Sequence, residues 1–192
     1  MRIGVLAVQG AFAEHIEKLK ALGVDVFEIR QLKDLKEKFD ALVLPGGEST
    51  VMKKLLTELG MYDSLKSMIK NGLPVLATCA GMILLAKEID GGEAPCFGTM
   101  DITVKRNAYG RQLGSFRCFD DFIGTTIEMP FIRAPYVCAA GENVEILSVH
   151  DDRIVAVRQD NQLACAFHPE LTEDMTVYNH FMEIVIANKD NI

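Results

Sequence analysis

Apolar residues alternate along this chain between two spacings. Ile3 to Val8, Val24 to Ile29, Ala41 to Leu44 and Val75 to Ala77 are short, near-continuous apolar runs, the pattern of strands buried on both faces of a parallel sheet. Between them the spacing becomes helical. Phe12, Ile16, Leu19 and Leu22 predict a helix from about Phe12 to Leu22, ended by Gly23. Leu32 to Phe39, Val51 to Leu59 and Tyr62 to Asn71 read as further helices. Strand and helix in this alternation imply right-handed crossovers and a doubly wound sheet.

Beyond Ile89 the later strands are shorter and more polar. Met100 to Lys105, Ser115 to Phe119, Phe131 to Ala134 and Val137 to Ala139 are expected near the sheet's edge. Val144 to Val149 and Arg153 to Arg158 predict a hairpin around His150-Asp151-Asp152, which puts His150 in an exposed turn. Leu163 to Phe167 is another buried strand, and a last helix runs from about Asp174 to Ala187. The expected architecture is α/β: one domain over residues 1–192, a doubly wound, mostly parallel sheet flanked by helices in three layers.

Such sheets bind ligands at the carboxyl ends of their strands, so the loops after Val8, Leu44 and Ala77 are the ones to inspect. The first is Gln9-Gly10-Ala11. The second is Pro45-Gly46-Gly47-Glu48-Ser49-Thr50. Its glycines allow close approach of a ligand, and Ser49 or Thr50 is placed to cap the following helix. By itself it is either an anion-binding loop or a plain strand-to-helix turn. It is not a phosphate loop of the Gly-x-x-x-x-Gly-Lys-Ser/Thr type.

The third loop carries Cys79 on a bend between a strand and a helix starting near Ala80, the layout of a nucleophile elbow. A helix start favours a thiolate there, although a buried structural cysteine fits that stretch equally well. A nucleophile requires a base. Of the four histidines, His15 and His180 fall on helices, where surface or packing roles are the default. His168 alone follows a buried strand at the same sheet edge as Cys79. Pro169 stiffens its loop, and Glu170 can reach the far ring nitrogen. Cys79, His168 and Glu170 together have the logic of a hydrolytic triad.

Composition narrows the partners. A net charge of −7 over 192 residues argues against nucleic acid or an anionic membrane as the main partner. No apolar run is long enough to span a bilayer, and the N-terminal stretch lacks the layout of a signal peptide. Five cysteines without paired spacing suggest a reducing cytoplasm, and no metal-ligand spacing is present. Arg106 and Arg133 lie in polar turns, as solvated charges or as clamps for a carboxylate.

Six stretches carry a resemblance over essentially the whole chain. They are Val8-Gln9-Gly10-Ala11, Leu44 to Thr50, Thr78-Cys79-Ala80-Gly81, Arg106-Asn107-x-x-Gly110-Arg111-Gln112, Phe131-Ile132-Arg133-Ala134-Pro135 and Phe167-His168-Pro169-Glu170-Leu171-Thr172. With these the chain resembles the class I, triad-type glutamine amidotransferases. More narrowly it resembles the glutaminase subunits of pyridoxal 5′-phosphate synthase. The elbow and His-Pro-Glu are shared across the superfamily; the Pro-Gly-Gly-Glu-Ser-Thr, Arg-Asn-x-x-Gly-Arg-Gln and Ile-Arg-Ala-Pro stretches mark the subfamily. Ala77 stands where a glycine is common.

The resemblance implies Cys79 as nucleophile with His168 and Glu170 as its partners. It implies a glutamine site lined by Gly47, Glu48, Ser49, Arg106, Ile132 and Arg133, with no metal or organic cofactor. Oxyanion donors would be the N–H groups of Gly47 and Ala80. The implied partner is a (β/α)₈-barrel synthase that takes up the ammonia within a large hetero-oligomer. We also expect Gln9 and Gly46 to form a switch that the partner sets. The rival readings are the glutaminase of another amidotransferase, a cysteine hydrolase of the peptidase and chaperone group, and a partner-binding subunit with little activity of its own.

Overall fold

The computed structural model describes residues 1–106 and 114–189. In chain order it contains β1 (Arg2–Leu6), α1 (Phe12–Ala21), β2 (Asp25–Ile29), β3 (Ala41–Leu44), α2 (Ser49–Glu58), α3 (Tyr62–Lys70), β4 (Val75–Thr78) and α4 (Ala80–Leu85). It continues with β5 (Ala86–Ile89), β6 (Met100–Lys105), β7 (Ser115–Phe122), β8 (Thr125–Ile132), β9 (Tyr136–Ala140), β10 (Glu145–His150), β11 (Arg153–Gln159), β12 (Gln162–Cys165) and α5 (Thr176–Lys189).

The main sheet has the order β2-β1-β3-β4-β12-β11-β9-β6-β5, with β10 added to β11. From β2 to β12 every pairing is parallel. These are the strands with continuous apolar runs; β3, β4 and β12 are buried at every position, as strands covered on both faces must be. The chain leaves β1 to one side for β2 and returns on the other side for β3. The order therefore reverses beside β1, and the loops after β1 and β3 part there to leave a crevice. Past β12 the pairing turns antiparallel, apart from β5 with β6. β7 and β8 form a separate two-stranded hairpin.

Several expectations shift in detail. β1 stops at Leu6, and the Ala7 N–H already bonds the Ile29 carbonyl. Leu32–Lys36 is a 3₁₀ turn rather than an α-helix, begun where Asp34 accepts the N–H groups of Arg30 and Gln31. Ser49 and Thr50 do not cap α2: they are its first two residues, and Glu48 holds the cap position. β5 has no signal in the sequence, because Ala86 follows α4 with no breaker between them. β7 and β8 both run beyond the predicted spans, while Arg133 and Ala134 lie outside β8. His150 is not exposed. Its ring packs against Phe116 and Phe131, and Nδ1 lies 2.8 Å from Asp120 Oδ2.

Candidate active site

The elbow is built by strand pairing that continues up to the bend. Thr78 stands in register with Cys165, and the Cys79 N–H donates to the Cys165 carbonyl at 2.8 Å. Cys79 then takes φ 48 and ψ −102, a conformation costly for a residue with a side chain, and α4 starts at once. The bend is tight enough that a Cβ on Gly81 would collide with the Leu44 carbonyl. Backbone strain of this kind persists where the surroundings over-determine it, which here means β3, β12 and the buried α4. The Cys79 sulfur lies 3.9 Å from the Ile132 carbonyl.

His168 follows β12 and is pinned from the side, its N–H donating to the Pro130 carbonyl of β8 at 2.8 Å. Nδ1 lies 2.6 Å from Glu170 Oε1. Glu170 sits in a 3₁₀ turn, Pro169–Leu171, and both side chains are buried. A carboxylate on Nδ1 fixes the proton there and leaves Nε2 for the cysteine. Nε2 makes no hydrogen bond of good geometry among the described residues. Burial opposes a charge on His168. The adjacent Cys79 sulfur and the hydrogen-bonded Glu170 carboxylate outweigh burial and raise its pKa to about 10. Burial likewise opposes the Glu170 carboxylate, yet His15 and His168 hold its pKa below the ordinary value.

In front of Cys79 and His168 lies a cleft of about 250 Å³, lined also by Gln9, Gly46, Gly47, Glu48, Ser49, Ile83, Arg106, Ile132 and Arg133. Every predicted site residue is therefore at the cleft except Glu170, which sits behind His168, and Ala80, buried at the start of α4. Gly46 packs so closely that a Cβ there would lie 2.5 Å from His168 Cε1. Its carbonyl accepts the Ala11 N–H at 3.0 Å, and Gln9 Oε1 accepts the Glu48 N–H at 2.8 Å. The loops after β1 and β3 are thus tied together. Arg106 reaches Glu48 at 2.8 Å and Glu93 at 2.7 Å, so both its arms hold carboxylates. Arg133 has φ 44, a second strained residue on the rim. Asn107, Gly110, Arg111 and Gln112 of the sequence motif lie outside the described residues.

Sequence reasoning overlooked what stands behind the triad. His15 of α1 is wholly buried, and its Nε2 lies 3.1 Å from Thr78 Oγ1 and 3.5 Å from Glu170 Oε2. Its Nδ1 lies 2.8 Å from the Tyr178 hydroxyl of α5. A signal was present: His15 is three residues after Phe12 and four before Leu19, on the apolar face of α1.

Comparison with known proteins agrees with this geometry. The family model of the SNO glutamine amidotransferase family matches residues 5–187. The chain is 59% identical over 186 residues to a pyridoxal 5′-phosphate synthase subunit PdxT from Methanocorpusculum labreanum, covering 96% of this chain and 98% of the relative. It is 51% identical over 191 residues to the protein of the same name from Desulfitobacterium hafniense, covering 98% and 96%. A crystal structure described as a glutamine amidotransferase superposes with a TM-score of 0.89 at 45% identity, covering 95% of this chain and 98% of that one. Another, from Thermotoga maritima and described in the same words, shares the fold with a TM-score of 0.62 at 13% identity, covering 100% of this chain and 83% of that one. A strained cysteine elbow, a carboxylate-held histidine and full-length relatives under one name lead to the same conclusion: the chain belongs to the SNO glutamine amidotransferase family.

Proposed function

We propose that Cys79, His168 and Glu170 hydrolyse L-glutamine in the cleft, and that the chain is the glutaminase subunit of a pyridoxal 5′-phosphate synthase. The observation that carries this is the 2.6 Å pair of His168 Nδ1 with Glu170 Oε1 behind a cysteine held at positive φ. The Cys79 thiolate attacks the side-chain carboxamide carbon. His168 Nε2 delivers its proton to the departing nitrogen, and ammonia leaves a thioester on Cys79. Water then attacks the thioester, His168 takes a proton from it, and collapse releases glutamate and the thiolate. The raised pKa of His168 suits the first half, because the imidazole holds the proton that the leaving nitrogen needs.

Each oxyanion formed needs N–H donors aimed at it. The groups proposed are those of Gly47, on the cleft wall, and Ala80, in the first turn of α4, where N–H groups have no intrahelical partner. Glutamine's own amino and carboxylate groups meet Glu48, Arg106 and Arg133, with Ser49 and Ile132 shaping the wall. Arg106 now spans Glu48 and Glu93, so a substrate carboxylate competes with Glu93 for one arm of the guanidinium.

The ammonia goes to a (β/α)₈-barrel synthase subunit within a large hetero-oligomer, and that partner sets the Gln9–Gly46 switch. The two hydrogen bonds that join these loops give the switch something to work on. Flipping the Gly46-Gly47 peptide breaks the bond from Ala11, a cost of about 1 kcal/mol that differential contact with a partner can supply. The continuous main sheet supports one glutaminase domain over residues 1–192. Free thiols at all five cysteines support a cytoplasmic site of action. Among the described residues no helix is long and apolar enough to cross a membrane. The test is glutamate release from glutamine with and without the synthase subunit, for wild type and Gln9→Ala. No release in either condition would remove the glutaminase. A normal response of Gln9→Ala to the partner would remove Gln9 from the switch.

A further inference from the structure

Glu170 presents two oxygens to the interior, and the triad uses one. Oε1 holds His168; Oε2 is buried and makes no hydrogen bond of good geometry among the described residues. A buried carboxylate oxygen without a donor is costly. His15 Nε2 lies 3.5 Å from it, on a fully buried imidazole from the opposite end of the chain. The same nitrogen lies 3.1 Å from Thr78 Oγ1, on the residue that precedes the nucleophile.

The surroundings decide which tautomer His15 adopts. If Nδ1 carried the proton, the lone pair of Nε2 would face a carboxylate in a dry interior. With the proton on Nε2, that N–H donates to Thr78 Oγ1 at 3.1 Å with Glu170 Oε2 3.5 Å away, and Nδ1 accepts the Tyr178 hydroxyl proton at 2.8 Å. Burial keeps the His15 pKa below the usual imidazole value despite the pull of Glu170, so at neutral pH it meets the carboxylate as an N–H dipole rather than as a cation. Burial also raises the pKa of Tyr178, keeping its hydroxyl protonated and able to donate.

We propose that His15 is a positioning residue of the glutaminase reaction: its Nε2–H holds the second oxygen of Glu170, and Tyr178 holds that proton on Nε2. This rests on the triad reading above. The arrangement Tyr178–His15–Glu170–His168 fixes the plane of the carboxylate, so that Oε1 stays in line with His168 Nδ1. Through Thr78 the same N–H ties the elbow to the group that orients its base. No part of His15 lines the cleft, so its influence falls on the chemical step and not on substrate binding.

Two near-isosteric substitutions separate the proposal from simple packing. Glutamine can place an N–H where Nε2 stands, and asparagine places its amide near Nδ1. His15→Gln therefore keeps the donor to Glu170 and Thr78; His15→Asn keeps only the Tyr178 side. With the synthase subunit present, His15→Asn should lower kcat by about tenfold or more, the scale typical of outer partners of a functional group, and leave KM within about twofold. His15→Gln should recover most of kcat. In a Glu170→Gln background His15→Asn should cost little further, because the group it acts through is already altered.

Thermal midpoints of all variants are measured alongside. Equal kcat for His15→Asn and wild type, losses that simply add to those of Glu170→Gln, or a KM-only effect would each overturn the proposal. So would activity that follows the thermal midpoint alone across the His15 variants. If wild type itself releases no glutamate while folded and bound to partner, the triad reading fails first, and the two failures are distinguishable.

Discussion

Among the described residues two Cys-His-carboxylate clusters stand out, and they use the histidine ring differently. Cys118, His150 and Asp120 match Cys79, His168 and Glu170 in residue type. In the second cluster Cys118 Sγ lies 3.7 Å and Asp120 Oδ2 2.8 Å from the same ring nitrogen, His150 Nδ1. Thiol and carboxylate compete for one edge of the ring, so the imidazole cannot take a proton from one while the other orients it. In the first cluster Glu170 holds Nδ1 and Nε2 is left for Cys79. The backbones differ too. Cys118 sits within β7, paired with Met129 across a regular ladder, whereas Cys79 is on a strained bend. Burial, with Asp120 and Asp151 nearby, raises the Cys118 pKa to about 11, so it stays a thiol. Residue type proposes a triad; separate use of the two ring nitrogens makes one.

The largest expected effect breaks the comparison if it fails. Cys79→Ala should lower glutamate release by about a millionfold, as loss of a covalent nucleophile does, while the fold survives. Cys118→Ala should leave kcat and KM unchanged in the same assay. Comparable losses in the two would mean that the ring-nitrogen criterion does not separate them.

Within the reactive cluster the two partners should differ in weight. His168→Asn removes the proton carrier and should cost about 10⁶ in kcat; Glu170→Gln only misorients it and should cost about 10⁴. Equal losses would give Glu170 a more direct part than orientation.

How much of this is legible in the sequence follows from what each residue depends on. Cys79 and His168 are readable because each follows a continuous apolar run, and parallel strands place such loops at one edge. The hairpin of β7 and β8 is readable only in part. Asp120, Asp121, Thr125, Thr126 and Glu128 belong to strands with one wet face, and polar residues there look like loop. His150 reads as an exposed turn residue because its cover, Phe116 and Phe131, comes from that same hairpin. His15 reads as an ordinary helix residue because the reason for its burial, Glu170 and Tyr178, lies more than 150 positions away in the chain.

A pH experiment sharpens the role of Glu170 apart from catalysis. The native pKa of His168 is raised, so its stabilisation is complete below about 6.5, the unfolded value, and is lost as pH rises toward the native value near 10. Glu170 has the opposite sign: its pKa is lowered, so its stabilisation is present above about 4.5 and lost as pH falls. Cys79→Ala removes the cysteine's share of the His168 shift, which brings the upper limit below 10. In that background denaturant midpoints should still fall from about pH 6.5 upward. Adding Glu170→Gln should flatten both limbs. An unchanged alkaline limb would mean that Glu170 does not hold the proton on His168.

The smallest effect is expected at the carboxylate of the unreactive cluster. Asp120 is about one-third exposed, so its 2.8 Å contact with His150 is open to solvent on the Asp120 side. The hydrogen bond from His150 lowers the Asp120 pKa, but a pair of that exposure is worth at most about 1 kcal/mol after screening. Asp120→Asn keeps the shape and an acceptor for His150, so stability should change by less than about 1 kcal/mol and kcat by less than about twofold. The substitution is informative because of what adjoins it. The His150 ring stacks on Phe131, whose neighbour Ile132 lines the cleft, and Phe131 packs against Phe167 beside His168. If the carboxylate of Asp120 set the position of those rings through His150, removing its negative charge would move Ile132 and His168, and KM and kcat would both respond. If His150 acts only as a flat ring packed against Phe116 and Phe131, which stack directly on each other, Asp120→Asn changes neither. A tenfold loss of kcat in Asp120→Asn would show that the two clusters work as one.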